Sequence, residues 1–410
     1  MIKTYHDVRR ALLERTEIAL LDVREEDVFA QAHPLFAANL PLHRIAADAP
    51  KRIPRLTTLV VVYDDGEDLA EPARQTLQAL GYTQVTLLSG GLQGWRDAGG
   101  ELFQDVNAPS KAFGELVEAQ RHTPMLSAPE VQDLLARQAD VVVLDARRFD
   151  EYHTMAIPGG ISVPGAELVL RVGALAPDPR TQVIVNCAGR TRSIIGAQSL
   201  INADIPNPVC ALRNGTIGWT LAGQTLQTGA DRRFLPVSPA QQAQAATRAR
   251  SVADRAGVQR ATASDLARFQ AGLSRTTYCF DVRTPEEFAA GHLPGFESAP
   301  GGQLVQETDM AMPVRGARVV LFDTDGVRAS MSASWLAQMA WDVWVLDGVP
   351  QTDCSQTGGL PAPVAPNPHR YRRPYEGTDN AQEAMQAYLD WEYGLVAQLE
   401  RDGTHGFWVL

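Results

Sequence analysis

Apolar residues cluster along this chain in short blocks set between polar stretches. Blocks of about four residues, mostly apolar, stand at 59–62 (Leu59, Val60, Val61, Val62), 141–144, 182–185 and 319–322. Runs this short and this apolar predict strands buried on both faces, as in a parallel sheet. Helix-like stretches lie between and after them, including 194–203, so the predicted class is α/β with a mainly parallel sheet. Loops that leave the C-terminal ends of parallel strands are where such folds gather ligands.

The pattern occurs three times. Leu21-Asp22-Val23-Arg24, Leu144-Asp145-Ala146-Arg147 and Phe280-Asp281-Val282-Arg283 share an apolar-Asp-x-Arg start. Seven residues after each Asp comes an aromatic (Phe29, Tyr152, Phe288), and nineteen after it a proline (Pro41, Pro164, Pro300). Forty-two after it, where an apolar run ends and a Gly-bearing loop begins, stand Asp64, Cys187 and Asp323. Thirteen further on are Leu77, Leu200 and Leu336. The first two copies then end in Gly91-Leu92-Gln93-Gly94-Trp95 and Gly215-Thr216-Ile217-Gly218-Trp219, with a one-residue slip. Such spacing predicts three homologous units, starting 123 and 136 residues apart.

The expected domains are 1–106, 124–235 and 257–350, with 351–410 as a connector and tail. Residues 107–123 and the Gln/Ala-rich 238–256 separate the units, and the third copy loses its ending after Gly348. A Pro-rich connector spans 360–368. Beyond it a helix capped by Asp379 is expected through about 402, with Met385, Leu389, Val396 and Leu399 near one stripe and Gly403 as its stop. That stripe predicts packing on a neighbouring unit.

Composition narrows the class. With 45% hydrophobic and 21% charged residues the chain is expected to fold as a globular protein. Its net charge of −11 gives no bulk attraction to nucleic acid or anionic lipid, and the basic cluster 369–373 reads as a solvated or ion-pairing segment. Residues 1–10 lack the apolar core of a signal peptide and no 18-residue apolar run occurs, so a cytoplasmic protein is expected. Four scattered cysteines make neither a disulfide framework nor a zinc site, and no metal or other cofactor is expected.

The chemistry concentrates at Cys187-Ala188-Gly189-Arg190-Thr191-Arg192-Ser193. A strand, a short loop and a helix start converge backbone N–H groups and a helix dipole on one point, which favours an anion. A thiol there should ionise more readily, and Arg190 and Arg192 add two permanent charges. Cys210, Cys279 and Cys354 lack such a loop and read as structural. Asp22, Asp145 and Asp281 recur in all copies and read as scaffold hydrogen-bonders with the arginines that follow, as do Trp95 and Trp219 by their packing. His33 and His292 share a repeat position that holds Ala156 in the middle unit, which leaves no histidine base there.

These starts, the Cys187–Ser193 loop and the Gly-x-x-Gly-Trp ending together resemble the rhodanese sulfurtransferase family, over about 300 of the 410 residues. The resemblance implies three tandem domains, each a mainly parallel sheet flanked by helices, followed by a C-terminal helical tail. It also implies a catalytic Cys187 that takes sulfane sulfur as a persulfide, and a donor lined by the backbone of residues 188–193. The family's commonest loop has glycine three after the cysteine; here Gly189 is two after it and Arg190 takes the third place. Asp64 and Asp323 cannot form a persulfide, so the outer units should be inactive, the third more mildly because it keeps Arg328 at the place of Arg192. Cysteine phosphatases of similar loop need Arg six after Cys, where Ser193 stands, which argues against phosphoryl chemistry.

The expected activity is sulfur transfer from a small anionic donor to cyanide or a thiol. Thiosulfate is favoured because two arginines suit a dianion; 3-mercaptopyruvate is the runner-up. A different class of reading is a sulfur carrier, in which the inactive units bind a protein acceptor and Cys187 only relays sulfur.

Overall fold

The computed structural model describes residues 2–360, 367–373 and 375–410. Most of the Pro-rich stretch expected over 360–368 therefore lies outside the described residues. The predicted blocks are strands apart from Leu59, and they are buried except at Leu59, Val141, Val142 and Gln182, which are half-buried. In the middle unit the sheet order is Met125–Leu126, Val209–Leu212, Gln182–Asn186, Val141–Asp145, Ile161–Ser162, all parallel. The third unit repeats that order with Gln259–Ala261, Asp342–Leu346, Arg318–Phe322, Thr277–Asp281 and Glu297–Ser298. The first does so with Ile2–Lys3, Val85–Leu88, Val60–Tyr63, Ile18–Asp22 and Ala37–Asn39. This is the expected α/β class, three times over.

Register carries the motif to the site. Asp145 is paired with Asn186, the residue just before Cys187, and Asn186 Nδ2 donates to Asp145 Oδ2 at 2.7 Å. Asp145 also accepts from Arg147 Nε and Nη2 at 2.8 and 2.7 Å, with both side chains about 2% exposed. Asp22–Arg24 and Asp281–Arg283 make the same buried pair. Each arginine also donates to a backbone carbonyl eight residues on: Ala32, Met155 and Gly291. The scaffold reading of these motifs is what the structure contains.

The units are interlocked. Val314–Arg315 of the third unit pairs antiparallel with Ile18–Ala19 and so extends the first unit's sheet. The segments between units are helices, Ala108–Arg121 and Pro239–Arg255. The first buries Ala108, Ala112, Phe113 and Val117; the second starts in a Ser238–Gln241 capping box with Pro239 in its first turn.

The tail departs from expectation. It is two helices, Ala381–Tyr393 and Leu395–Asp402, because the Gly394 N–H turns back to Trp391 O and interrupts the ladder. Asn380, not Asp379, stands at the first N-cap, and it makes no side-chain cap. Leu389, Leu395 and Leu399 are buried, and Gly403 ends the second helix in the left-handed region as expected. The chain end reaches the third unit, where Leu410 N–H donates to Gln338 Oε1. No helix among the described residues is long and apolar enough to cross a membrane.

Candidate active site

Cys187 follows the strand Gln182–Asn186 directly, and the helix Thr191–Asn202 begins four residues later. The Gly-x-x-Gly-Trp motif fixes the loop from behind. Gly215 has φ +53°, and a Cβ there would stand 2.3 Å from Cys187 O, a contact no side chain survives. Thr216 N–H donates to Cys187 O and Ile217 N–H to Ala188 O, at 2.9 and 3.0 Å. In the first unit Gly91 approaches Asp64 O in the same way, and Leu92 N–H donates to it. Trp95 and Trp219 are buried and donate Nε1–H to Glu101 O and Thr225 O, each at 3.0 Å. The motif thus holds the loop residue's carbonyl.

The outer units reveal what the cradle binds. Asp64 accepts N–H bonds from Gly66, Leu69 and Ala70 at 3.1, 2.6 and 2.9 Å. Asp323 accepts from Gly326 and Ala329 at 2.9 and 2.7 Å. Each carboxylate fills its own anion site, a built-in occupant rather than only a repelling charge. Asp325 adds to this by accepting from Val327 and Arg328 N–H at 2.9 and 3.1 Å.

In the middle unit the residue at that position is a thiol. Cys187 is 2% exposed and donates to Ser193 Oγ at 3.4 Å, while Ser193 Oγ donates to Arg190 O at 2.9 Å. The expectation of easier ionisation is corrected here: burial pushes the Cys187 thiol up, and Arg192 and Ser193 pull it down by less. Cys210 and Cys279, in strands, are pushed up to about 12 by burial.

Neither loop arginine is a free charge. Arg190 forms a two-pronged pair with Glu115 of the helix Ala108–Arg121, 2.7 Å on each prong, and also donates to Tyr393 Oη at 2.8 Å. Its guanidinium lies 4.0 Å from the Tyr393 ring centroid. Arg192 pairs with Glu151 at 2.6 and 2.9 Å, and Arg373 reaches the same carboxylate at 3.1 Å. These cations hold Glu151 well below the usual carboxylate range, against its burial. The third unit has the counterpart pair, Arg328–Glu287, while the first has Leu69 and Val28 at those places. His33 and His292 stack on Phe29 and Phe288, and neither lines the cavity at Cys187.

A cavity of about 680 Å³ opens onto Cys187 and residues 188–192. All three units and the tail wall it: Lys111, Glu151, Glu307, Arg373, Tyr388 and Glu392 among others. Sequence reasoning missed Glu115, Glu151 and every tail residue. Only Glu151 carried a signal, because Glu151 and Arg192 are kept together in the third unit and lost together in the first.

A model of the rhodanese-like domain matches residues 5–98, 127–222 and 263–348. A thiosulfate sulfurtransferase from Pseudomonas aeruginosa, of known crystal structure, is 54% identical, with a TM-score of 0.97 over 100% of this chain and 99% of that one. Among curated proteins, an HTH-type transcriptional regulator from Mycobacterium tuberculosis is 32% identical over 100 residues, 24% of this chain. The match spans only 43% of that relative's length.

Proposed function

This chain belongs to the rhodanese-like domain family, and from that premise we propose that it transfers sulfane sulfur through Cys187. Rhodanese-type sulfur transfer is supported by the likeness to the Pseudomonas aeruginosa enzyme over the whole chain. Thiosulfate is the donor proposed. The Cys187 thiolate attacks its outer sulfur, the S–S bond breaks, sulfite leaves with the electron pair, and a persulfide remains. An acceptor, cyanide or a thiol, then attacks that sulfur and returns Cys187 as thiolate.

One observation carries the reading. The backbone group six residues after the loop position faces that residue's side chain in all three units: Ala70 and Ala329 N–H donate to a carboxylate in two, and Ser193 meets the Cys187 thiol in the third. Residues 188–193 then hold the donor by backbone N–H groups, and Arg190 and Arg192 shape the loop more than they contact the anion. The walls around Cys187 favour small donors and acceptors, which speaks for an enzyme over a carrier serving a protein partner. Cys187→Ser is expected to abolish turnover with thiosulfate and cyanide while the thermal unfolding midpoint stays near wild type. Near-normal turnover in the purified variant would overturn the assignment.

A further inference from the structure

Resting on that sulfur-transfer reading, we propose that Glu392, supplied by the C-terminal tail, is the base that deprotonates a thiol acceptor as it attacks the sulfur carried by Cys187. The helix Ala381–Tyr393 lays Glu392 against the catalytic loop: a Cβ on Gly189 would lie 3.2 Å from Glu392 Oε2. Glu392 is 2% exposed and walls the same cavity as Cys187. Its Oε1 accepts from Tyr388 Oη at 3.2 Å, and its Oε2 has no hydrogen-bond partner among the described residues. A buried carboxyl oxygen without a partner is costly unless it has a use. Three neighbouring carboxylates are spent on cations: Glu151 on Arg192 and Arg373, Glu115 on Arg190, Asp105 on Lys111 at 2.7 Å; Glu307, on the same cavity wall, accepts from Gln303.

The groups facing Glu392 set its proton affinity. Burial pushes it up to about 8; Glu115 and Asp105 push the same way, and Lys111 and Arg190 oppose them. Glu392 in turn pushes the Cys187 thiol up. A base of that strength suits an alkyl thiol, whose own pKa is close by. In the step, the acceptor S–H bond breaks and its proton goes to the Glu392 carboxylate. The freed pair on the acceptor sulfur forms a bond to the outer persulfide sulfur. The bond from that sulfur to Cys187 Sγ breaks, and its pair returns to Sγ. The proton then passes to the Cys187 thiolate or to water, and no oxidant or reductant is consumed.

The test separates acceptors by their need for a base. Full-length wild type and Glu392→Gln are loaded with thiosulfate, the persulfide on Cys187 is verified by mass, and single-turnover discharge is timed. The two acceptors are 2-mercaptoethanol and 4-nitrothiophenol, which is already ionised at neutral pH. Glu392→Gln should slow discharge to the alkyl thiol by about 10²-fold and to the nitrothiophenol by far less. As a base must be ionised, the wild-type rate with the alkyl thiol should climb through pH about 8, and this limb should vanish in the variant. Equal slowing of both acceptors would mean that Glu392 only props the loop, and no slowing would mean that it is idle; either overturns the proposal. Glu392→Asp, which keeps a base on a shorter arm, carries the same comparison if the glutamine variant does not load. Failure of wild type to load would overturn the sulfur-transfer reading instead.

Discussion

Arg190 illustrates how a residue legible in sequence takes a different role in space. Its place in the loop suggested a charge for a dianionic donor, but the charge is spent on Glu115, 75 positions earlier and only 3% exposed. Nothing in local spacing connects the two, because the pair is set by how one helix crosses another. Removing Arg190 leaves a buried carboxylate without its cation, which costs about 3–5 kcal/mol. Arg190→Ala should therefore lose stability of that order in urea unfolding, and Arg190→Lys should recover little, since an ammonium cannot span both oxygens. The KM for thiosulfate should rise less than about tenfold, within the effect of one charge-assisted bond. Unchanged stability with a larger rise in KM would put the guanidinium back on the donor.

At the scale of elements, the strand–loop–helix was written in the sequence. Repetition made it readable, since three copies of one spacing fixed where each strand ends and which residue heads each loop. What lay hidden was the inside of the loop. The third unit reads as the milder loss because Arg328 occupies the place of Arg192, yet Arg328 is bound to Glu287, Glu167 and Asp325. The Asp325 carboxylate also occupies the N–H groups of Val327 and Arg328. Asp323→Cys alone, in a Cys187→Ser background, should therefore gain no persulfide from thiosulfate, because half of the cradle is still filled by an anion. Asp323→Cys with Asp325→Ala should gain a weak one, read by site-resolved mass after thiosulfate treatment. Persulfide in the first variant at the rate of the second would mean that the Asp325 carboxylate leaves its N–H groups readily and does not govern the loop.

At the scale of the molecule, the tail turns three similar units into one asymmetric site. The Met385–Leu399 stripe predicted packing but not its target, since periodicity names the face that is buried and not the partner. Glu392 joins Cys187 and Glu115 only because the tail crosses back from the third unit to the second, and Tyr393 clasps Arg190 on the way. Access to Cys187 then depends on how firmly the tail sits. Iodoacetamide, small enough for a cavity of about 680 Å³, should alkylate Cys187 slowly, because burial raises the thiol. A polymer-linked maleimide should leave the folded protein unlabelled there. Leu399, 1% exposed in the second tail helix, anchors the device. Leu399→Ala should cost about 2–5 kcal/mol of local packing. If that cost is borne by the tail, the variant populates an open form in which the large reagent reaches Cys187 while the three units remain folded. Labelling by the large reagent should then rise at least about tenfold under native conditions, with circular dichroism unchanged. Rapid labelling of wild type by the same reagent would mean that the cavity is already open to large molecules, and that the tail does not limit what reaches the sulfur.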